Sequence, residues 1–401
     1  MAKRALQSVC AISPLGRKNR TVFSGSAANL PAETPIEEER VPGYRARHYF
    51  PVEPGYIFNQ RYEALAKLGW GTSSTVWLVR DLHRWRWQSE RYLTLKVGNC
   101  DFKDTSAARH EYQIERHIAH ANPPHEGRNY LRSFVEHFEE KSPNGTHVDN
   151  ILVGFEDPAV IQDFGLTQSA NPMPRKVHDG RAIYLSHNDF GPLRSYYILP
   201  KLTDFGLAHN QKDPSMLNRH PIQPDDYRAP EVILGAGWTY SVDIWNLGVM
   251  MWNLLAPRDL FTRAFDDNGN YHPDAHLAEM IALLGPPPKG IVDREREGLE
   301  WNWSPAAQNA QGKLCTTASE GYGGPFFDED GKILMSLAFQ NIIPQDVKIE
   351  DTVKCLEGEQ KDQFLTFALK MLQWLPENRK AAKELIEDPW LSDESIRRGG
   401  V

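Results

Sequence analysis

Apolar and polar positions divide the chain into stretches of different period. From Tyr62 the pattern is strand-like: Leu65-Ala66-Lys67-Leu68 runs into Gly69-Trp70-Gly71-Thr72-Ser73-Ser74, and Thr75-Val76-Trp77-Leu78-Val79 leads out of it. Leu93-Thr94-Leu95-Lys96-Val97 reads as a further strand and Ala107 to His120 as a helix. The apolar run Asn150-Ile151-Leu152-Val153-Gly154-Phe155 suits a strand, as does Tyr197-Ile198-Leu199 with Leu202-Thr203, while Glu156 to Pro200 is otherwise polar and turn-rich. Trp238 to Leu255 is apolar nearly all round, the pattern of a buried helix. His272-Pro273-Asp274-Ala275 opens another helix, and Leu284-Gly285-Pro286-Pro287-Pro288 ends it by removing donors and fixing φ.

Chemistry-bearing residues fall at the joints of this pattern. Gly69 and Gly71 permit a tight turn and let backbone N–H groups approach phosphates. Lys96 sits among apolar strand residues, where a cation is costly unless paired, and Glu111 on the following helical run is the candidate partner. Asp204-Phe205-Gly206 puts a carboxylate on a short turn after an apolar strand, a suitable place for a divalent cation. About two dozen mostly polar residues later comes Ala229-Pro230-Glu231. Two look-alikes, Asp163-Phe164-Gly165 and Asp189-Phe190-Gly191, are set aside because no Ala-Pro-Glu follows either without crossing Asp204.

The ordered pair Asp204-Phe205-Gly206 and Ala229-Pro230-Glu231 resembles the metal turn and anchoring Glu of eukaryotic protein kinases. Leu68-Gly69-Trp70-Gly71 with Ser74-Thr75-Val76-Trp77-Leu78, Tyr227 to Gly235 and Glu387-Asp388-Pro389-Trp390-Leu391 are similar to SR-protein kinases of the fungal branch, over roughly residues 35–392. The resemblance implies an α+β, bilobal fold with a small β-rich N-lobe and a larger helical C-lobe. It implies ATP-dependent transfer to Ser in Arg/Ser-rich splicing proteins, with ATP and Mg²⁺ as cofactors. By the same resemblance, Leu68, Gly69, Gly71, Ser74, Val76 and Lys96 would bind nucleotide, Lys96 would pair with Glu111, and Asn150 and Asp204 would hold the metal. Glu231 would pair with Arg379, and Asp243 would cap the catalytic-loop backbone. Asp225 and Asp226 lie where substrate would meet the activation segment, as carboxylates favouring Arg beside the target Ser or as a simple turn. Residues 286–350 look like the insert of this branch, with Asp328, Glu329 and Asp330 as acidic candidates for basic peptides. Ser215 is the one Ser or Thr between His209 and Asp226, so order by packing is expected there rather than order by phosphorylation. The implied partition is a basic, disordered or transit-like leader over 1–47, an N-lobe over 48–148, a truncated C-lobe over 149–392 and a tail over 393–401.

The chain departs from the family after Glu139. Asn144-Gly145-Thr146-His147-Val148, which in the family opens the fifth strand, is fused to Asp149-Asn150-Ile151-Leu152-Val153, which closes the catalytic loop. The hinge that reads adenine, two helices and the catalytic Asp should lie between them. Glu111 and Asn150 are too close in sequence for two further helices of ~11 residues each. The kinase general base stands five residues before the metal-binding Asn, and Gly145 occupies that place. Phosphoryl transfer by this chain is therefore expected to be impaired or absent. Ile244, Leu247, Val249 and Met251 are expected to lose the cover of a missing helix, and Asn150 to Phe155 is a candidate replacement for the fifth strand. The rival readings are a non-catalytic docking module for basic Arg/Ser peptides and a fragment of a mis-called gene.

Composition narrows the setting. A net charge of −8 over 401 residues argues against direct nucleic-acid binding. Cys10, Cys100, Cys315 and Cys355 are far apart and suit a reducing compartment, so cytoplasm and nucleus are expected. The basic, acid-free first 32 residues keep mitochondrial targeting open. No membrane span is expected, since Val242 to Ala256 is interrupted by Asp243, Asn246 and Asn253. A monomer is expected.

Overall fold

The computed structural model describes residues 18–40, 44–71, 74–99, 106–121, 124–142, 145–153, 158–178, 180–192, 194, 201–211, 213, 215–255, 259–309, 312–328, 334 and 347–392. The chain divides into two compact units, Met1–His209 and Asn210–Val401.

The first unit is built on a six-stranded sheet of β1 (Ile57–Phe58), β2 (Tyr62–Trp70), β3 (Ser74–Asp81), β4 (Tyr92–Gly98), β5 (Ser133–Ser142) and β6 (Gly145–Val153). The order is β1-β2-β3-β4-β6-β5 and every neighbouring pair is antiparallel. Helix α1 (Ser106–His120) follows β4. Six successive residues of β2 are buried, Tyr62 to Lys67, so this part of the strand is covered on both faces, whereas Trp70 at its end is exposed. Part of that cover is α2 (Pro158–Ala170), whose Ile161 and Phe164 join Leu65, Leu78, Leu95 and Phe58 in one core. A hairpin of β7 (Arg175–His178) and β8 (Arg181–Tyr184) comes next.

Three expectations change here. The stretch read as polar and turn-rich, 156–200, contains α2 and the β7–β8 hairpin, because Ile161, Phe164, Met173 and Tyr184 supply enough apolar surface to join the sheet's core. The boundary set at 148/149 falls inside β6, and the first unit continues to His209. Described residues of the expected leader are tied to the sheet and to the β7–β8 hairpin, and residues 41–43 lie outside the described residues. The Thr21 backbone N–H and hydroxyl donate to buried Glu63 at 2.8 and 2.7 Å. The guanidinium of Arg181 donates to the carbonyls of Ala46, Tyr49 and Phe50. Residues 1–17 and 393–401 of the expected leader and tail lie outside the described residues.

The second unit is helical: α3 (Pro230–Ile233), α4 (Ser241–Leu255), α5 (Pro273–Leu284), α6 (Lys289–Gly298), α7 (Ala318–Tyr322), α8 (Ile349–Thr352), α9 (Gly358–Leu369), α10 (Ala382–Leu385) and α11 (Pro389–Ser392), with a small hairpin of β9 (Ala307–Gln308) and β10 (Leu314–Cys315). Val242, Trp245, Val249 and Trp252 of α4 recur at helical spacing and form the spine of its core with Phe364, Phe367 and Met371. At ~1.5–3 kcal/mol for each large apolar side chain, this face dominates the unit's stability. The helix is not covered all round, however. Met250 and Leu254 are exposed, and Ile244, Leu247 and Met251 are half-buried, whereas Val249 is buried. Among the described residues no helix is long and apolar enough to cross a membrane.

Candidate nucleotide and metal site

The geometry starts at the β2–β3 hairpin. Gly69 pairs with Val76 and Trp70 with Thr75, so the Gly69–Ser74 turn is the hairpin tip. The Gly71 N–H donates to the Ser74 carbonyl at 2.8 Å, which closes the turn. A Cβ added at Gly69 would meet nothing within 4 Å and one at Gly71 only the Ser74 hydroxyl at 3.9 Å. Backbone with open space above it is what close approach of a phosphate requires. Thr72 and Ser73 lie outside the described residues. Leu68 is half-buried at the base of the loop, and Val76 is half-buried opposite Lys96 on β4.

Lys96 donates to both oxygens of Glu111, at 2.9 and 3.1 Å, and lies 3.6 Å from the carboxylate of Asp204. Burial by itself lowers the lysine's pKa. The attraction of Glu111, the hydrogen bond to it, and the charges of Asp204 and Glu115 outweigh that and hold it above the ordinary value, so Lys96 is firmly cationic. Asp204 adopts a left-handed φ of +63°, which Asp tolerates better than most residues, and its side chain is 72% exposed. The chain reaches it by pairing Leu202 with Leu131: Leu202 N–H donates to Tyr130 O at 2.7 Å and Arg132 N–H to Leu202 O at 2.8 Å. Tyr197-Ile198-Leu199, the expected strand ahead of it, lies outside the described residues.

Asn150 is placed differently from the catalytic-loop expectation. It is a strand residue of β6, opposite Lys96 on β4 and His137 on β5, and its side chain is outside the described residues. The substitute-strand alternative is the one the backbone follows. The strand is paired on both edges, with β4 from Asp149 to Leu152 and with β5 from Gly145 to Val153.

Glu115 was not singled out by the pattern, although its spacing of four from Glu111 beside Ile114 and Ile118 was the signal. It is 4% exposed, burial raises its carboxyl to about 7, and Glu111 and Asp204 push the same way against Lys96 and Arg132. One of its oxygens is buried without a hydrogen-bond partner, and it borders a small cavity with Arg132, Phe134 and Phe205.

In the second unit Glu231 and Arg379 meet in two parallel hydrogen bonds of 2.6 Å, both side chains wholly buried. The same guanidinium donates to Ser241 O and Gln373 O and lies 5.1 Å over the Trp245 ring. Asp243 is exposed on the first turn of α4. Asp225, expected to face substrate, pairs at 2.6 Å with Arg228, whose guanidinium stacks on Tyr271 and Tyr322. Gln223, overlooked in the sequence, joins the segment to α4. Its side-chain amide donates to Val242 O at 3.0 Å and to Asn246 Oδ1 at 2.6 Å, and its carbonyl accepts from Ala229 N–H at 2.8 Å. Ser215 is exposed and donates to Asp213 at 2.7 Å. Asp328 is half-buried, and Glu329 and Asp330 lie outside the described residues.

Residues 194–391 match the description of the protein kinase domain. A serine/threonine protein kinase of Aspergillus fumigatus is 32% identical over 419 aligned positions, covering 93% of this chain and 95% of that protein. The chain belongs to the protein kinase family. A serine/threonine-protein kinase of Physarum polycephalum, named SRPK, is 23% identical over 430 positions and 89% of this chain, with 92% of its own length covered. The crystal structure of a kinase domain superposes with a TM-score of 0.56 at 19% identity, covering 86% of this chain and 99% of that one. The α+β, two-lobed fold of the kinase is thereby set, and the family implies ATP and a divalent metal. The residues in place suit both. The open backbone at Gly69 and Gly71 and the fixed cation of Lys96 fit a polyphosphate, and the exposed oxygens of Asp204 fit a cation that takes its other ligands from phosphate and water. Among the described residues no group of three or more acidic, His or Cys side chains forms a metal cage by itself.

Proposed function

We propose that this chain is a kinase of the SR-protein type that binds ATP and Mg²⁺ but transfers phosphate slowly or not at all. Its substrates are Arg/Ser-rich proteins of the cytoplasm and nucleus. The observation that carries the reading is the unbroken strand Gly145–Val153 beside the Lys96–Glu111 pair. It leaves the chain no loop in which an Asp stands five residues ahead of Asn150. Of the 419 positions aligned with the Aspergillus kinase, this chain fills 93% of 401 residues, about 373, so about 46 aligned positions have no residue here. Lys96 holds phosphate oxygens, Glu111 holds Lys96, and Asp204 presents the cation; the bound cation supplies charge neutralisation at the phosphates. Gly145, which stands at the general base's place five residues before Asn150, has no side chain to accept the proton. Absence of a general base corresponds to a rate loss of about 10²–10⁴.

The second reading is a docking module for basic Arg/Ser peptides. It is favoured by the second unit, whose Glu231–Arg379 pair and Gln223 bridge hold the segment end in place without any help from the catalytic loop. A thermal-shift titration with ATP and Mg²⁺ tests the first reading. The unfolding midpoint should rise, and Lys96→Met should abolish the rise. No shift with retained Arg/Ser-peptide binding selects the module.

A further inference from the structure

The buried lysine of β2 has no part in the site described above, yet it stands two residues before Gly69. Lys67 is 1% exposed, and every polar group it owns is engaged. Its Nζ donates to Glu38 at 2.5 Å and to the Tyr184 carbonyl at 3.0 Å, with Glu37 at 3.6 Å. Its N–H points to Met173 Sδ at 3.0 Å, and its carbonyl accepts from the His187 N–H at 2.8 Å. Glu38 is itself 2% exposed and belongs to the short turn Glu37–Arg40, which two further contacts hold: Ser186 donates its N–H and hydroxyl to Glu37, and Lys176 donates to Glu39 at 2.8 Å. The N-terminal strap, the β7–β8 hairpin and the strand that carries the glycine loop therefore converge on one side chain.

The register explains why that convergence bears on the loop. The β2–β3 pairing is irregular between Lys67 and Gly69, and a bulge re-aims the strand that follows it. A bulged strand end with two glycines just beyond it has many backbone conformations open to it. The Lys67 anchor fixes the last residue before the irregularity at four points.

We propose that Lys67, held by Glu38, is a positioning residue for the phosphate-binding glycines Gly69 and Gly71. The strap and the hairpin act through it as a brace that sets where the loop's N–H groups point. The inference rests on the nucleotide site proposed above. A corollary is that residues 36–39 support the nucleotide site, so proteolytic processing that removes them weakens nucleotide binding.

Glu38→Gln alone leaves the buried ammonium with Glu37 at 3.6 Å as its remaining counter-ion and is expected to destabilise the unit strongly. Two other variants of the full chain avoid this. Lys67→Met/Glu38→Met replaces the pair by apolar groups of similar volume, an exchange that is often neutral for stability. Glu38→Asp keeps the charge and shortens the reach by one methylene. The measurements are ATP–Mg²⁺ affinity by displacement of a fluorescent ATP analogue, the unfolding midpoint without nucleotide, and amide hydrogen exchange over Leu68–Trp77. The expected result is an affinity about tenfold weaker in the double variant and a smaller loss in Glu38→Asp. Faster exchange at the hairpin tip and midpoints close to the parent's should accompany it. If Glu38→Asp, or the folded double variant, binds ATP within twofold of the parent with unchanged exchange at the tip, the brace does not exist. A parent chain that fails to bind ATP removes the nucleotide reading instead, and tip exchange then decides the brace by itself.

Discussion

Glu231→Gln is the sharpest test of the second unit's architecture. The parent carboxylate accepts two hydrogen bonds of 2.6 Å from Arg379, and neither side chain has any solvent exposure. Substitution by the neutral isostere preserves volume and one acceptor but leaves a guanidinium buried against Trp245 with neutral acceptors alone, the glutamine amide oxygen and the carbonyls of Ser241 and Gln373. Breaking one side of a buried ion pair costs about 3–5 kcal/mol, against a total domain stability of about 5–15 kcal/mol. At a urea slope of about 1–3 kcal/mol per molar, the unfolding midpoint should fall by about 1–5 M. Because the chain has two compact units, the transition is followed by tryptophan fluorescence, to which Trp245, Trp252 and Trp374 of this unit contribute, together with circular dichroism. Glu231→Met/Arg379→Met should recover most of the loss, since the cost lies in the orphaned charge. A Glu231→Gln loss below about 1 kcal/mol, or a double variant as weak as the single, would refute the claim that the pair is desolvated as the structure has it.

Other consequences can be checked as directly. Burial raises the Glu295 carboxyl to about 7, against the pull of the backbone N–H groups of Phe326 and Phe327. The folded state thus holds a proton that the unfolded state releases near 4.5, and stability should decline as pH rises from about 4.5 to 7. Glu295→Gln removes that decline. It should match the parent at pH 4 and exceed it at pH 8 by up to about 3 kcal/mol, measured by urea titration at the two pH values. Gly298→Ala should destabilise the second unit by about 2 kcal/mol or more, because its Cβ would fall 2.2 Å from the Gly235 carbonyl oxygen; thermal unfolding reads the result. Lys96→Met should remove the ATP-induced rise in midpoint while leaving the nucleotide-free midpoint within a few degrees.

Much of the first sheet was readable because its period is local. The strands around Gly69 and Lys96, the Lys96–Glu111 pair and the Asp204 turn each carry their signal within a few residues, and the structure places Glu111 and Asp204 at 2.9 and 3.6 Å from the Lys96 ammonium. The second lobe's anchoring pair was legible from two motifs 148 residues apart. What stayed hidden depends on tertiary cover. Glu37–Glu39 fell within the leader expected over 1–47, and it is their tertiary partners, buried Lys67 and Lys176 together with Ser186, that order those charges. Residues 158–184 looked polar because their few apolar side chains, Ile161, Phe164, Met173 and Tyr184, are spread over two element types. The expectation that α4 is buried on all sides failed for a related reason: pattern alone shows how apolar a helix is, whereas Met250 and Leu254 are exposed.

The central claim is that a nucleotide site persists without its proton acceptor. Transfer of radiolabelled phosphate from ATP to an Arg/Ser-repeat peptide, with the Aspergillus relative assayed in parallel, measures it most directly. The account predicts saturable nucleotide binding by this chain with a transfer rate at least about 10²-fold below the relative's. Transfer at the relative's rate would contradict it.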